Sequence, residues 1–412
     1  MKSPLLLSLA LGCGWLFSPE ALVIAGNSTG TLGWLTIPLL ALAALLFSFN
    51  SNTISNALQT GSHKTEISLL SSSIGKIPAG ILSITSCFPF LIIGATALLV
   101  TSGYTFNEVF LYWFPNFGFA FLLLGLLTLL QFLPLEQIYR VQLFFVTLAG
   151  SGILLLGMYG SLTPTKPLAE ILQIPTQLSK GSLSSPLLLL LFAGSNLFQG
   201  KNTNFSKIAL LALLVFLPWI FASLAHVNPE RLASSTIPFM TASRKIMGDT
   251  GRQVMGMVVI MGSCAAFTGL SLLCRQKLSE LSQEKMAPPF IEKGGQRWVF
   301  PLLIAISVGA CMATGLAGDE LLEILLRSAL LLWLLHYCFV SFTAVFILKY
   351  TQQTRAAATT LVPLLLSIAL AVIVFTSPHN IKTMQFIFAS LLAGSCLTAL
   401  LVFIQSQNKE KT

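Results

Sequence analysis

About twelve apolar stretches of roughly 20 residues follow one another along this chain, and about 20 apolar residues are what a helix needs to cross a hydrocarbon core. Polar partners could not cover such runs in water, because charged residues are only 9% of the 412 and hydrophobic ones are 55%. The expected fold class is an all-α polytopic membrane protein, whose helices satisfy their own backbone groups in lipid. The expected spans are 4–24, 32–49, 77–101, 113–134, 141–160, 184–199, 207–226, 253–274, 299–316, 325–349, 357–376 and 384–405. They make one transmembrane domain over 1–405, with 406–412 as a short tail.

Lysine and arginine placement sets the expected orientation. With an even number of spans, 15 of the 23 fall on the side of the two termini, so both termini are expected on the cytoplasmic face of a cytoplasmic (inner) membrane. The net charge of +9 follows from this bias and from anionic lipid, and calls for no nucleic acid. Lys2 and Ala10-Leu11-Gly12-Cys13 offer a competing reading as a lipoprotein signal, but Leu11 fits that cleavage pattern poorly and the apolar segment continues past Cys13. The seven cysteines lie in or at the ends of apolar segments and form no CxxC pair, so neither a disulfide framework nor a zinc site is expected.

Two spans carry glycine-rich interruptions. The first reads Leu11-Gly12-Cys13-Gly14-Trp15, and the sixth, a leucine run from Pro186, ends in Phe192-Ala193-Gly194-Ser195-Asn196. Unwound backbone at membrane depth is tolerated where it lines a cavity or is buried in protein, and paired breaks in corresponding halves point to a transporter's binding site. The competing reading is that these glycines let helices pack closely and that Ser195 and Asn196 bond across helices.

Gly12-Cys13-Gly14-Trp15-Leu16-Phe17-Ser18-Pro19, followed by Ala25-Gly26 and Leu32-Gly33-Trp34, resembles the first two helices of the amino acid/polyamine/organocation permeases. Phe192 to Asn196 resembles the helix 6 pattern F-x-G-x-E of that family, and Arg275 through Met286-Ala287-Pro288 resembles the end of its helix 8. The resemblance implies a LeuT-like 5+5 inverted repeat, with helices 1–5 over about 4–160, helices 6–10 over about 184–349 and two C-terminal helices over about 357–405. It also implies a secondary transporter, symporter or exchanger, for an amino acid. The substrate would be bound by Gly12, Cys13, Gly14 and Trp15 on helix 1 and by Phe192, Ala193, Gly194 and Asn196 on helix 6. Its carboxylate would meet free N–H groups at the start of the outer half of helix 1. Asn196 stands where many relatives carry Glu, which favours a neutral amino acid; another small organic cation or a polyamine is the alternative cargo.

Glu20 is the acidic residue placed inside an expected span, so it is a candidate for coupling or gating, with a wetted outer position as the competing reading. Ser263 and Thr268 could supply oxygens for sodium, although such hydroxyls usually bond to their own helix. The coupling ion is left open between H+ and Na+, and no other cofactor or metal is expected. Ser51–Gly75 and Cys274–Arg297 are expected as interfacial loops. An enzyme is not expected, since HExxH and clustered intramembrane Asp are absent, and a transporter-derived sensor would need a longer tail. The expected partners are the amino acid, the bilayer and at most a second copy of the chain.

Overall fold

The structure is a computed structural model and describes residues 4–60, 65–172, 192, 205–288, 296–315, 320–350, 363–371 and 380–410. The fold is all-α. Seven helical runs among the described residues are long and apolar enough to cross a membrane, and two shorter apolar helices accompany them. The chain is thus a multi-pass membrane protein.

The first expected span is two helices, α1 (Pro4–Leu16) and α2 (Pro19–Leu32), and Gly33 at φ 58° closes α2 before α3 (Thr36–Thr60). A short helix α4 (Glu66–Ile74) leads to α5 (Lys76–Val109), α6 (Asn116–Gln131), α7 (Leu135–Leu162) and one turn of α8 (Leu168–Ile171). Next come α9 (Phe205–His226), α10 (Pro229–Ser234), α11 (Pro238–Gln283), α12 (Gln296–Ala313), α13 (Glu320–Tyr350), α14 (363–371) and α15 (Asn380–Glu410). The span expected at 184–199 lies outside the described residues except for Phe192, and that at 357–376 is described as helix over 363–371.

α11 has 46 residues, about 69 Å at 1.5 Å per residue, or twice what a bilayer needs. Gly248 interrupts it at φ 63° and ψ −138°, a conformation that glycine adopts without a Cβ penalty. The piece before Gly248 joins α10 in capping α2: a Cβ on Gly26 would stand 2.5 Å from Pro238 Cγ, and Gly30 lies against the backbone of Ala233. The Asn27 amide, oriented to satisfy its neighbours, donates to Leu232 O and Ser235 O at 3.0 and 3.1 Å.

After Gly248, α11 runs antiparallel to α1 along a seam of small residues. Gly262 lies against Phe17 O, a Cβ on Gly14 would stand 2.9 Å from Ala265 O, and one on Gly269 would stand 3.7 Å from Leu11 O. Lipid chains give helices no hydrophobic reason to associate, so close backbone packing carries the seam. Gln142 of α7 joins it, its Nε2 donating to Ala10 O of α1 at 3.1 Å and to Ala265 O of α11 at 2.9 Å.

Both expected loops differ. α3 extends to Thr60 and α4 forms within the stretch 51–75, while α11 carries on to Gln283 inside 274–297. α4 is started by Thr65, whose hydroxyl accepts from Ser68 N while Ser68 Oγ accepts from Thr65 N, each at 3.1 Å. Its buried face is Glu66, Ile67, Leu69 and Leu70, so α4 is packed into the bundle end and does not lie along the interface.

Valine at Gly14 or Gly262 is expected to overfill the seam and cost about 1–3 kcal/mol, read as a fall in the unfolding temperature in detergent. Alanine at Gly125, where a Cβ would meet nothing within 4 Å, should leave that temperature unchanged or raised.

Candidate functional site

The interruption of the first span lies at Phe17–Ser18, three residues beyond Gly14. Gly12, Cys13, Gly14 and Trp15 are all helical, which corrects the expectation that the glycines unwind the chain. Their small size serves packing: a Cβ on Gly14 would stand 2.7 Å from Gln142 Nε2, and Gly12 lies against Ile208 of α9. Proline sets the break, because Pro19 has no N–H to continue α1 and its fixed φ suits the first position of a new helix.

The two sides of the break differ electrically. On the α2 side, Pro19 offers no donor, Ala21 N donates to Ser18 Oγ at 3.2 Å, Leu22 N donates to Ser18 O at 3.1 Å, and the first turn carries Glu20. A helix start already capped and acidic is a poor seat for a substrate carboxylate. On the α1 side, Cys13 O and Trp15 O accept from Phe17 N and Ser18 N, while the carbonyls of Gly14, Leu16 and Phe17 accept no hydrogen bond from the described residues. The negative end of the α1 dipole therefore faces the break.

Ser263, one residue after the Gly262 that meets Phe17, and Thr268 are both fully buried, and neither hydroxyl has a hydrogen-bond partner among the described residues. Glu20 is half-buried and has Glu323 and Arg327 of α13 as charged neighbours, the latter two paired with each other. Trp15 packs edge-on against Phe90 at 4.8 Å between ring centroids, Phe17 lies 6.4 Å from Phe216, and Phe192 lies 6.0 Å from Phe47. Trp15 and Glu20 thus flank the break along the chain, and Ser263 follows the glycine that meets it from α11. Phe192 packs in the aromatic group of Phe47, Phe205 and Tyr337, while Ala193, Gly194 and Asn196 lie outside the described residues.

A second polar group sits at the end of the bundle where α1 begins. Lys277 of α11 pairs with Glu66 of α4 and, at 3.4 Å, with Glu280; His336 Nε2 of α13 stands 3.8 Å from Glu66 Oε2, an ion-pair distance beyond hydrogen-bond reach. Gln276 Nε2 donates to Glu280 Oε1 at 2.9 Å. All four charged or titratable side chains are 3–7% exposed. Burial pushes the Glu66 carboxyl up, but the Lys277 ammonium and the His336 ring together outweigh it and hold the group below the ordinary carboxylate value. Sequence reasoning missed this group, since 211 residues separate Glu66 from Lys277; a lysine and a glutamate three apart at the end of an apolar helix were the available signal. No set of three or more His, Cys, Asp or Glu in metal-holding geometry occurs among the described residues.

Crystal structures of three variants of a manganese transporter from Eremococcus coleocola superpose on the chain with TM-scores of 0.59, 0.61 and 0.59, covering 98% of this chain and 95% of that one. The chain has the fold of a membrane transporter. Sequence identity over these superpositions is 12–13%, so the likeness is one of fold. No family model matches the sequence, and no curated protein matches it. The permease resemblance is corrected accordingly: the solved structures named here are of a manganese transporter, and no family model or curated protein supports it. The amino acid as substrate and partner falls with it, in keeping with the capped, acidic start of α2.

Lys277→Met would leave two buried carboxylates uncompensated and is expected to cost about 3–5 kcal/mol, read from unfolding in detergent. The ionised form of Glu66 contributes stability above its ordinary value of about 4.3, lost as pH falls through the lowered value. Glu66→Gln should therefore lower the unfolding temperature at neutral pH by an amount that shrinks below about pH 4.

Proposed function

We propose that this chain is a secondary active transporter that moves a small inorganic cation by alternating access, with the break between α1 and α2 as the cargo site. The observation that carries this reading is the polarity of the break: bare carbonyls of Gly14 and Leu16 at the negative end of α1, facing a helix start that is capped and acidic. Broken-helix carbonyls are oxygen ligands, and oxygen ligands suit hard cations such as Mg²⁺, Ca²⁺ and Mn²⁺. The manganese transporters that share the fold make Mn²⁺ the first cation to try. Ser263 and Thr268, buried with unpartnered hydroxyls, are the side chains proposed to complete the oxygen shell of the cargo or of a coupling Na⁺. The excess of Lys and Arg on the side of the termini supports a cytoplasmic position for the α4 end, in an inner membrane.

The test is uptake by purified protein in proteoliposomes of Mn²⁺, Ca²⁺ and Na⁺, each with and without an inward proton gradient. Accumulation of one of them above protein-free vesicles is expected, with Ser263→Ala or Thr268→Ala reducing it about tenfold, equivalent to 1.4 kcal/mol. Vesicles that take up none of the three, while circular dichroism shows the helical protein intact, would overturn the reading.

A further inference from the structure

The buried group at the α4 end has a charge imbalance. Two carboxylates, Glu66 and Glu280, share one ammonium, Lys277, which leaves one negative charge without a partner while His336 is neutral. An uncompensated charge taken out of water is costly, and a buried site relieves that cost by taking up a proton. Among the described residues that pair with or stand beside the group there is no second cation: α4 contributes Glu66, α11 contributes Lys277, Glu280 and Gln276, α13 contributes His336, and α5 contributes Cys87, whose carbonyl accepts from Cys274 Sγ at 3.5 Å. One ring nitrogen of neutral His336 and the carboxylate of Glu280 can each take a proton, and neither His336 nitrogen has a hydrogen-bond partner among the described residues.

We propose that Glu66, Lys277, Glu280 and His336 form a proton-binding site that takes up one proton as a unit, and that this is the coupling proton of the transporter. The proton belongs to the group and not to one residue, because sites this close titrate together. Occupation by one proton brings the buried charge to zero. The site bridges three elements, with α4 tied to α11 through Glu66 and Lys277 and to α13 through Ser73 Oγ, which donates to Thr343 Oγ1 at 3.1 Å. Proton uptake is thereby linked to how α4 is seated at the bundle end. The coupling role rests on the transport reading above, whereas the proton site does not.

The experiment is a potentiometric titration of purified protein in detergent between about pH 8 and pH 5, comparing proton uptake per molecule in wild type and variants. Glu280→Gln removes the unpartnered charge and is expected to take up about one proton fewer than wild type. Lys277→Met combined with Glu280→Gln restores an unpartnered carboxylate, Glu66, and is expected to recover that proton. Equal uptake by wild type and Glu280→Gln, or the same loss in the single and double variants, would overturn the proposal. Titration needs no cargo, so a protein that passes it but moves no cation would overturn the transport reading alone.

Discussion

In hydrocarbon every backbone carbonyl and N–H needs a partner, and among the described residues the end of α1 is a place where that rule is broken. At Phe17–Ser18 the carbonyls of Gly14, Leu16 and Phe17 lose their helical partners, and the chain can keep them only by burying them in protein. The seam of small residues on α11 does this, bringing Gly262 against the Phe17 carbonyl and Ala265 beside Gly14. Gln142 ties α7 to both helices from the third side. A wider side chain at Gly14 or Gly262 would push the helices apart at the break.

The break and the ion group are joined by one helix. α11 passes Phe17 at Gly262 and reaches Glu66 at Lys277, so a shift of α11 along its axis is felt at both places. At the opposite end, its first part caps α2 at Gly26. α11 thus touches the cap of α2 before its Gly248 interruption, and the break and the buried charges after it.

The sign of the break's electrostatics separates cargo classes more sharply than its shape does. Had the start of α2 been uncapped, its N–H groups would have made an anion site. Ser18 and Pro19 remove most of those donors, so the carbonyl end of α1 dominates.

The membrane class, most span positions and the interruption of the first span are legible in the residues themselves, because hydropathy and the missing N–H of Pro19 act within a few residues of where they are written. Gly12 and Gly14 are ambiguous at that level, since glycine permits both unwinding and close packing, and Gln142 and Ile208 settle the matter only by standing against them. The same holds for charge. Glu66 reads as a loop residue and Lys277 as an interfacial one until folding brings them together across 211 residues and out of water. Local pattern determines which segments enter the membrane; which polar groups are left without partners there depends on contacts between segments, and those exist only once the helices have packed.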